Sequence, residues 1–181
     1  MKYKYQGGIY DLKLLCGIDN INPQALALMS GHKGDKFCGI VAGHLVGSTV
    51  DNVAGKVRLT DLSLQNDSVR IDVDSIIIDI ERQMDNSHMS VYGDFVKIDV
   101  DGDIYPSSFV RQVTTMLQPH LNKLITVKPL HGKVTYSNFT YNAVINPHPL
   151  LEHYLPSNVS LVTPVESYGF VNTELQQLSA N

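Results

Sequence analysis

Two segments of this chain carry the same alternating pattern, and that alternation constrains the fold more than any other feature. The segment VRIDVDS at residues 69–75 recurs 27 residues later as VKIDVDG at residues 96–102. In both copies Val, Ile and Val alternate with one cation and two aspartates. A period of two is typical of a β-strand with one buried and one solvated face. We therefore predict two half-exposed strands near the middle of the chain.

Much of the remaining sequence also has strand character. Segments rich in Val, Ile, Leu and Tyr are separated by Gly, Asn and Pro, so we predict an α+β, β-dominated fold built on an antiparallel meander or a sandwich-like sheet. The turn Gly7-Gly8 is predicted to join the first two strands. Asp101-Gly102 is predicted to be a two-residue hairpin turn that joins residues 96–100 to 103–105. A last strand is predicted over residues 159–165.

The sequence also predicts two or three short helices. The first covers about residues 22–30, with Asn22 as N-cap and Gly31 at its C-terminal end. The second covers residues 107–118, where apolar residues recur at helical spacing before Pro119. A third is allowed over residues 172–179, in a C-terminal tail from about residue 172 that we expect to be partly flexible. A helical turn is also allowed over residues 150–154. We predict a single β-rich domain over residues 1–181.

Composition and charge disfavour several classes of function. The chain has 14 basic and 18 acidic residues, a formal net charge of -4, and no run of basic residues, so nucleic-acid binding is disfavoured. It has no long apolar segment, so we predict neither a signal peptide nor a membrane span and expect a cytoplasmic protein. Cys16 and Cys38 could pair as a disulfide, but two free thiols are the preferred interpretation.

Three alternating aspartates form the strongest candidate for a metal site. Asp99, Asp101 and Asp103 have the spacing that calcium loops use. The pattern then fails, because Ile104 occupies the position where the loop needs glycine and Val110 the position where it needs an acid. We therefore predict no bound metal and no cofactor, and interpret these acids as the solvated face of a strand.

Two other segments resemble catalytic or binding motifs only in part. His148, Glu152 and His153 miss the inverted zinc-peptidase spacing by one residue, and we predict surface histidines there. The segment GHKGDK at residues 31–36 lacks the spacing of a phosphate-binding loop, and we predict a solvated turn. A core or interface patch is predicted for three clustered aromatics, Tyr136, Phe139 and Tyr141.

Three classes of function stay open. The favoured one is a non-enzymatic structural or assembly subunit, such as a component of a virion or of another oligomeric complex, which acts through sheet surfaces and edges. Its partner would be another protein or a second copy of the chain. The alternatives are a small module that binds a ligand or a peptide, and an enzyme whose Asp, His and Cys residues come together from distant positions. No catalytic residue can be assigned from the sequence.

Overall fold

Ten antiparallel strands dominate the part of the chain that the structure describes. A computed structural model describes residues 1–22, 34–83, 86–107, 136–155, 159–175 and 177–181. Its strands lie side by side in chain order, and each pairs antiparallel with its sequence neighbours in one sheet, which confirms the predicted β-dominated meander. The strands are β1 (Lys2–Gln6), β2 (Ile9–Ile21), β3 (Lys36–Gly47), β4 (Ala54–Gln65), β5 (Arg70–Gln83), β6 (Asn86–Gly93), β7 (Val96–Asp103), β8 (Asn138–Ile145), β9 (Val165–Asn172) and β10 (Gln177–Ala180).

Helical structure is sparse in the described part of the chain. Its described elements are one short α-helix, α1 (Pro149–Tyr154), and one 3-10 turn (Val50–Asn52), and Pro106 and Ser107 are also helical. Helix α1 confirms the helical turn predicted near residues 150–154. The helix predicted over residues 172–179 is wrong, because Gln177–Ala180 form a strand that pairs with β9. The helices predicted over 22–30 and 107–118 lie, beyond their first residue, outside the described residues. No described helix is both long enough and apolar enough to cross a membrane.

Glycines at two predicted turns have different roles. Gly7 and Gly8 have φ angles of 61° and 82°, as a two-residue type I′ turn requires, and they join β1 to β2 as predicted. The hairpin predicted at Asp101-Gly102 is wrong, because β7 runs without interruption from Val96 to Asp103. Gly102 has a φ of 135° and pairs with Phe139 on β8, so this glycine serves a close approach of two strands.

The last predicted strand also begins at a different residue. We expected it over residues 159–165, but β9 starts at Val165 and continues to Asn172. The residue before β9 is Pro164, which has no N–H to donate to a neighbouring strand. The apolar character of residues 159–162 therefore does not produce strand pairing.

Two irregularities interrupt the sheet on either side of β3. Asn20 on β2 and Asp61 on β4 have positive φ angles of 53° and 52°. The pairing register shifts near both residues, between Ile18 and Ile21 and between Cys38 and Ile40. Extra residues of this kind form β-bulges, which bend a strand and increase its local twist. The two bulges therefore lie on either side of the same short part of β3, at Cys38 and Gly39.

The two repeat segments bury opposite faces of the sheet. Ile71 and Val73 are 7% and 4% exposed, whereas the intervening aspartates are exposed, so the predicted alternation is confirmed. Paired residues share a face, and the pairs from β5 through β6 to β7 place Ile71 on the same side as the aspartates of the second copy. We call this side the Ile71 face, and the opposite side, which carries Val100, the Val100 face.

The hydrophobic core is therefore divided between the two faces. On the Ile71 face, Leu64 and Ile71 are buried side by side near α1, which packs against β5. On the Val100 face a separate cluster joins strands β6 to β9. Its buried members are Val100, Ile104, Phe139 and Val171, and Met89, Ile98 and Tyr141 pack against them. Phe139 and Tyr141 thus confirm part of the aromatic patch as core, whereas Tyr136 is 46% exposed.

Candidate functional site

The three aspartates considered as a metal site lie in line along β7. Asp101 accepts a hydrogen bond from His88 Nδ1 at 2.7 Å, and Asp99 accepts one from the Tyr92 hydroxyl at 2.7 Å. Alternate residues of a strand are about 6.5 Å apart, so these carboxylates do not converge on one point as they would in a calcium loop. Within the described ranges, no group of three His, Cys, Asp or Glu side chains could hold a metal ion.

Hydrogen bonds to these aspartates change the ionisation of their partners. The bond to Asp101 is the largest cause of a raised His88 pKa, and the bond to Asp99 is the largest cause of a raised Tyr92 pKa. Lys97 adds a cation 3.9 Å from Asp99. The aspartates of the second repeat therefore form a row of surface side chains that pair with His88 and Tyr92 on β6 and with Lys97 on their own strand.

A buried carboxylate is the centre of a polar cluster that joins three segments of the chain. Asp35, directly before β3, has no exposed surface. Its Oδ1 accepts a hydrogen bond from Asn66 Nδ2 at 3.0 Å. Its Oδ2 lies 3.0 Å from His153 Nε2 and accepts a second bond from the Tyr154 hydroxyl at 3.0 Å. We call these four residues the Asp35 cluster; it connects the start of β3, the β4–β5 turn and helix α1.

Local geometry explains why these side chains meet. The Oδ1 atom of Asn66 accepts the backbone N–H groups of Ser68 and Val69 at 2.9 Å and 2.8 Å, which fixes the turn and leaves its amide free to donate to Asp35. On the other side, His148 caps α1 by accepting the Leu150 N–H at 3.1 Å, and Pro149 occupies the first helical turn.

The electrostatics of the cluster favour an ionised Asp35. Burial by itself raises the pKa of a carboxyl group, but here the hydrogen bonds from Asn66, His153 and Tyr154 outweigh it and hold the Asp35 pKa below its usual value. Because an ionised carboxylate only accepts, His153 Nε2 must carry the hydrogen that it shares with Asp35.

The cluster also contains the kind of pair that the enzyme alternative requires, a histidine held by a carboxylate. The two Asp35 oxygens, however, serve three donors from two separate segments. The arrangement thus ties α1 to the sheet, and its described contacts are those of a structural tether.

Two predictions about these segments were wrong in part; in the first, Gly34 is an exposed turn residue and Lys36 is exposed, as expected. We expected a solvated turn over residues 31–36, but Asp35 is completely buried; residues 31–33 lie outside the described part. We expected surface histidines at 148 and 153, but the His153 side chain is only 14% exposed. His148 and His153 also have separate roles, since His148 caps the helix and stacks on Phe95 with ring centroids 4.9 Å apart. A contact across 118 residues leaves no local signal in the sequence.

The Tyr154 hydroxyl gives this cluster a measurable dependence on alkaline pH. Burial, followed by the hydrogen bond to Asp35 and its charge, raises the Tyr154 pKa to about 12. An unfolded tyrosine titrates near pH 10, so the stabilisation is complete below about pH 10 and is lost as the pH rises towards 12, by about 2 to 3 kcal/mol. We expect urea titrations across this range to show that loss in the natural chain and a smaller one in Tyr154→Phe. Equal losses in the two proteins would contradict this role of the hydroxyl.

The two cysteines lie on adjacent strands without a bond between them. Cys16 on β2 is exposed and free, and Cys38 on β3 is free and partly buried. The Cys38 thiol lies 3.7 Å from Asp19 Oδ1, beside the bulge on β2. Both thiols therefore agree with the preferred interpretation of unpaired cysteines.

The sheet ends in two outer strands. Within the described residues, no strand pairs with the outer edge of β1 or with that of β10. All five residues of β1 are exposed, and Tyr3 and Tyr5 are each 58% exposed. Strand β10 is also largely exposed and has no charged side chain. Unpaired edges of this kind offer backbone N–H and C=O groups to another strand.

Apolar surface extends inwards from β1. Tyr5 and Tyr10 are direct cross-strand partners, and their ring centroids lie 4.8 Å apart. Beside them, Tyr10, Leu12, Leu45, Gly47 and the loop residues that follow line an apolar depression of about 380 Å³. Val50, in the 3-10 turn at its border, is 64% exposed. This end of the sheet therefore combines an unpaired backbone edge with exposed apolar side chains.

In comparisons with protein families, curated proteins and solved structures, no match to this chain was found.

Proposed function

We propose that this protein is a structural or assembly subunit that associates through the edges of its sheet. The observation that carries this proposal is the pair of outer strands, β1 and β10, at the two ends of one open sheet. Association by strand addition satisfies backbone groups that pair with no other strand among the described residues, and neighbouring side chains supply specificity. The exposed Tyr3 and Tyr5 provide the apolar contact area that such an interface needs.

The charges of β1 keep this association selective. Lys2 and Lys4 alternate with the tyrosines along the outer strand. Lysine on an edge strand disfavours indiscriminate stacking, because two such edges repel each other. The β1 edge is therefore restricted to partners whose own edge places no cation opposite Lys2 or Lys4. A virion or another multi-subunit complex is the kind of assembly in which a subunit of this type would serve.

The test is the mass of the protein in solution with its edges intact and blocked. We expect light scattering after size exclusion to give a multiple of the 20.1 kDa chain mass at micromolar concentration. The double variant Tyr5→Pro/Ala180→Pro should be monomeric, because proline removes an outward N–H from each edge. The matched variant Tyr5→Ser/Ala180→Ser keeps both N–H groups and should still associate, at least in part. A natural chain that stays monomeric throughout this range would overturn the proposal of self-assembly.

A further inference from the structure

We propose that the edge of β10 pairs antiparallel with the edge of β1 from a second copy, so that chains join head to tail. This inference rests on the proposed function and specifies its interface. Each strand runs opposite to its neighbours, and the sheet has ten strands, so β1 and β10 run in opposite directions. A second copy in the same orientation therefore presents its β1 antiparallel to β10, as in every other pair of the sheet.

The hydrogen-bonding pattern of β1 shows which groups point outwards. Gln6 and Ile9 flank the two-residue turn and form a hydrogen-bonded pair. Since bonded and non-bonded pairs alternate, Lys4 and Lys2 also direct their backbone groups towards β2. The N–H and C=O groups of Tyr3 and Tyr5 therefore point to the outer edge.

The same reasoning applies to β10. Asn181 and Tyr168 exchange two backbone hydrogen bonds, of 3.0 Å and 3.2 Å. By alternation Ser179 and Gln177 also bond inwards to β9. The backbone groups of Leu178 and Ala180 are thus the ones at the outer edge.

These two sets of outward groups match in direction and in chemistry. Pairing Tyr5 with Leu178 and Tyr3 with Ala180 joins outward groups to outward groups. All four side chains lie on the Val100 face, as the register traced across the sheet shows. On the Ile71 face the same register places Lys2 opposite Asn181, Lys4 opposite Ser179 and Gln6 opposite Gln177, so neither lysine faces another cation. The joined sheet is thus apolar on one face at the junction and polar on the other, without a shift of register.

Other edge combinations are less favourable or less complementary. Two β1 edges that align Tyr3 with Tyr5 bring Lys4 directly opposite the Lys4 of the second copy, and such like-charge pairs are destabilising. Two β10 edges contribute no aromatic side chain. The tyrosine-rich edge of one copy therefore fits the small, uncharged edge of the next. Head-to-tail contacts of this type repeat and produce chains or rings.

Disulfide trapping tests this register directly. In the proposed pairing, Lys4 and Ser179 form a non-hydrogen-bonded pair with Cα atoms about 4.5 Å apart, a distance that suits a disulfide. Chains with Lys4→Cys and chains with Ser179→Cys, both with Cys16→Ser and Cys38→Ser, are mixed and oxidised. We expect a heterodimer on a non-reducing gel when the two chains carry different mass tags. Leu178→Cys in place of Ser179→Cys is the matched control, and its side chain points to the opposite face, so it should give little product.

A second measurement uses the proline variants singly. Tyr5→Pro blocks one edge and Ala180→Pro the other, so each alone should be monomeric, and an equal mixture should form a dimer that grows no further. Self-dimers of Lys4→Cys, or of Ser179→Cys, would overturn the head-to-tail order and leave the proposed assembly in place. If the natural chain associates but the expected heterodimer does not form, the head-to-tail pairing is also overturned, and the proposed assembly is left in place. A monomeric natural chain would overturn both proposals.

Discussion

Replacing Asp35 with alanine is expected to lower the free energy of unfolding by about 3 to 5 kcal/mol. The carboxylate is completely buried, and it accepts hydrogen bonds from Asn66 and Tyr154 and pairs with His153. Alanine leaves these partners without their acceptor and removes the tether between α1 and the sheet. Urea denaturation followed by circular dichroism measures the change.

A matched aspartate, Asp72, tests whether the burial of Asp35 causes the large expected loss of stability. Asp72 pairs with Arg70 at 3.0 Å, but both side chains are more than half exposed, so Asp72→Ala should cost less than about 1 kcal/mol. The contribution of Asp35 to the free energy of unfolding should also depend on pH. Because its pKa lies below the usual value, the stabilisation is present above about pH 4 and is lost as the pH falls further. Similar losses in the two alanine variants would show that the Asp35 cluster is not a stabilising tether.

Replacing Gly102 with alanine is expected to destabilise the fold by about 3 kcal/mol or more. Gly102 has a φ of 135°, which side chains rarely allow. An added Cβ would meet the Asn138 carbonyl oxygen and would lie 2.6 Å from the Phe139 Cα, so β7 and β8 would have to separate beside the buried cluster on the Val100 face. Thermal unfolding by calorimetry measures this loss.

Gly17 on β2 provides the control for that substitution. No atom lies within 4 Å of a Cβ built there, and its φ is not in the positive region. Gly17→Ala is therefore expected to change stability by no more than about 0.5 kcal/mol. If both alanine variants unfold at the same temperature, the close approach of β7 and β8 does not need glycine.

The β-dominated architecture could be predicted because the pattern that indicates each strand or turn lies within that segment of the sequence. Alternation in residues 69–75 and 96–102 identifies strands, and Gly7-Gly8 identifies a tight turn. The same signal could not tell which face each strand buries, since the two repeats have one pattern and opposite buried sides. The predicted hairpin at Gly102 is wrong because a glycine after Asp suits either a turn or a close approach of two strands. The spacing of Leu175 and Leu178 suggested a helix, but pairing with β9 prevailed over that weak preference.

The candidate sites were less predictable for a physical reason. Asp35 and His153 are separated by 118 positions, and neither lies in a motif that specifies the other. Their contact depends on where α1 packs, which is a property of the assembled sheet. The outer edges could be anticipated only in general form, because the identity of the terminal strands and the direction of their backbone groups follow from the complete strand order.

The sequential strand order has a consequence for how the protein folds. Each strand pairs only with strands adjacent in the chain, and most of these pairs are joined by short turns. Little loop entropy is lost in forming such pairs, which favours rapid folding for a β-protein. The longest connection lies between β7 and β8, at residues 104–137, and longer segments also join β2 to β3, at residues 22–35, and β8 to β9, at residues 146–164. Among the described strands, β7 and β8 are therefore the pair that closes the longest connection, and strands β1–β7 and β8–β10 can each pair among themselves before these two meet.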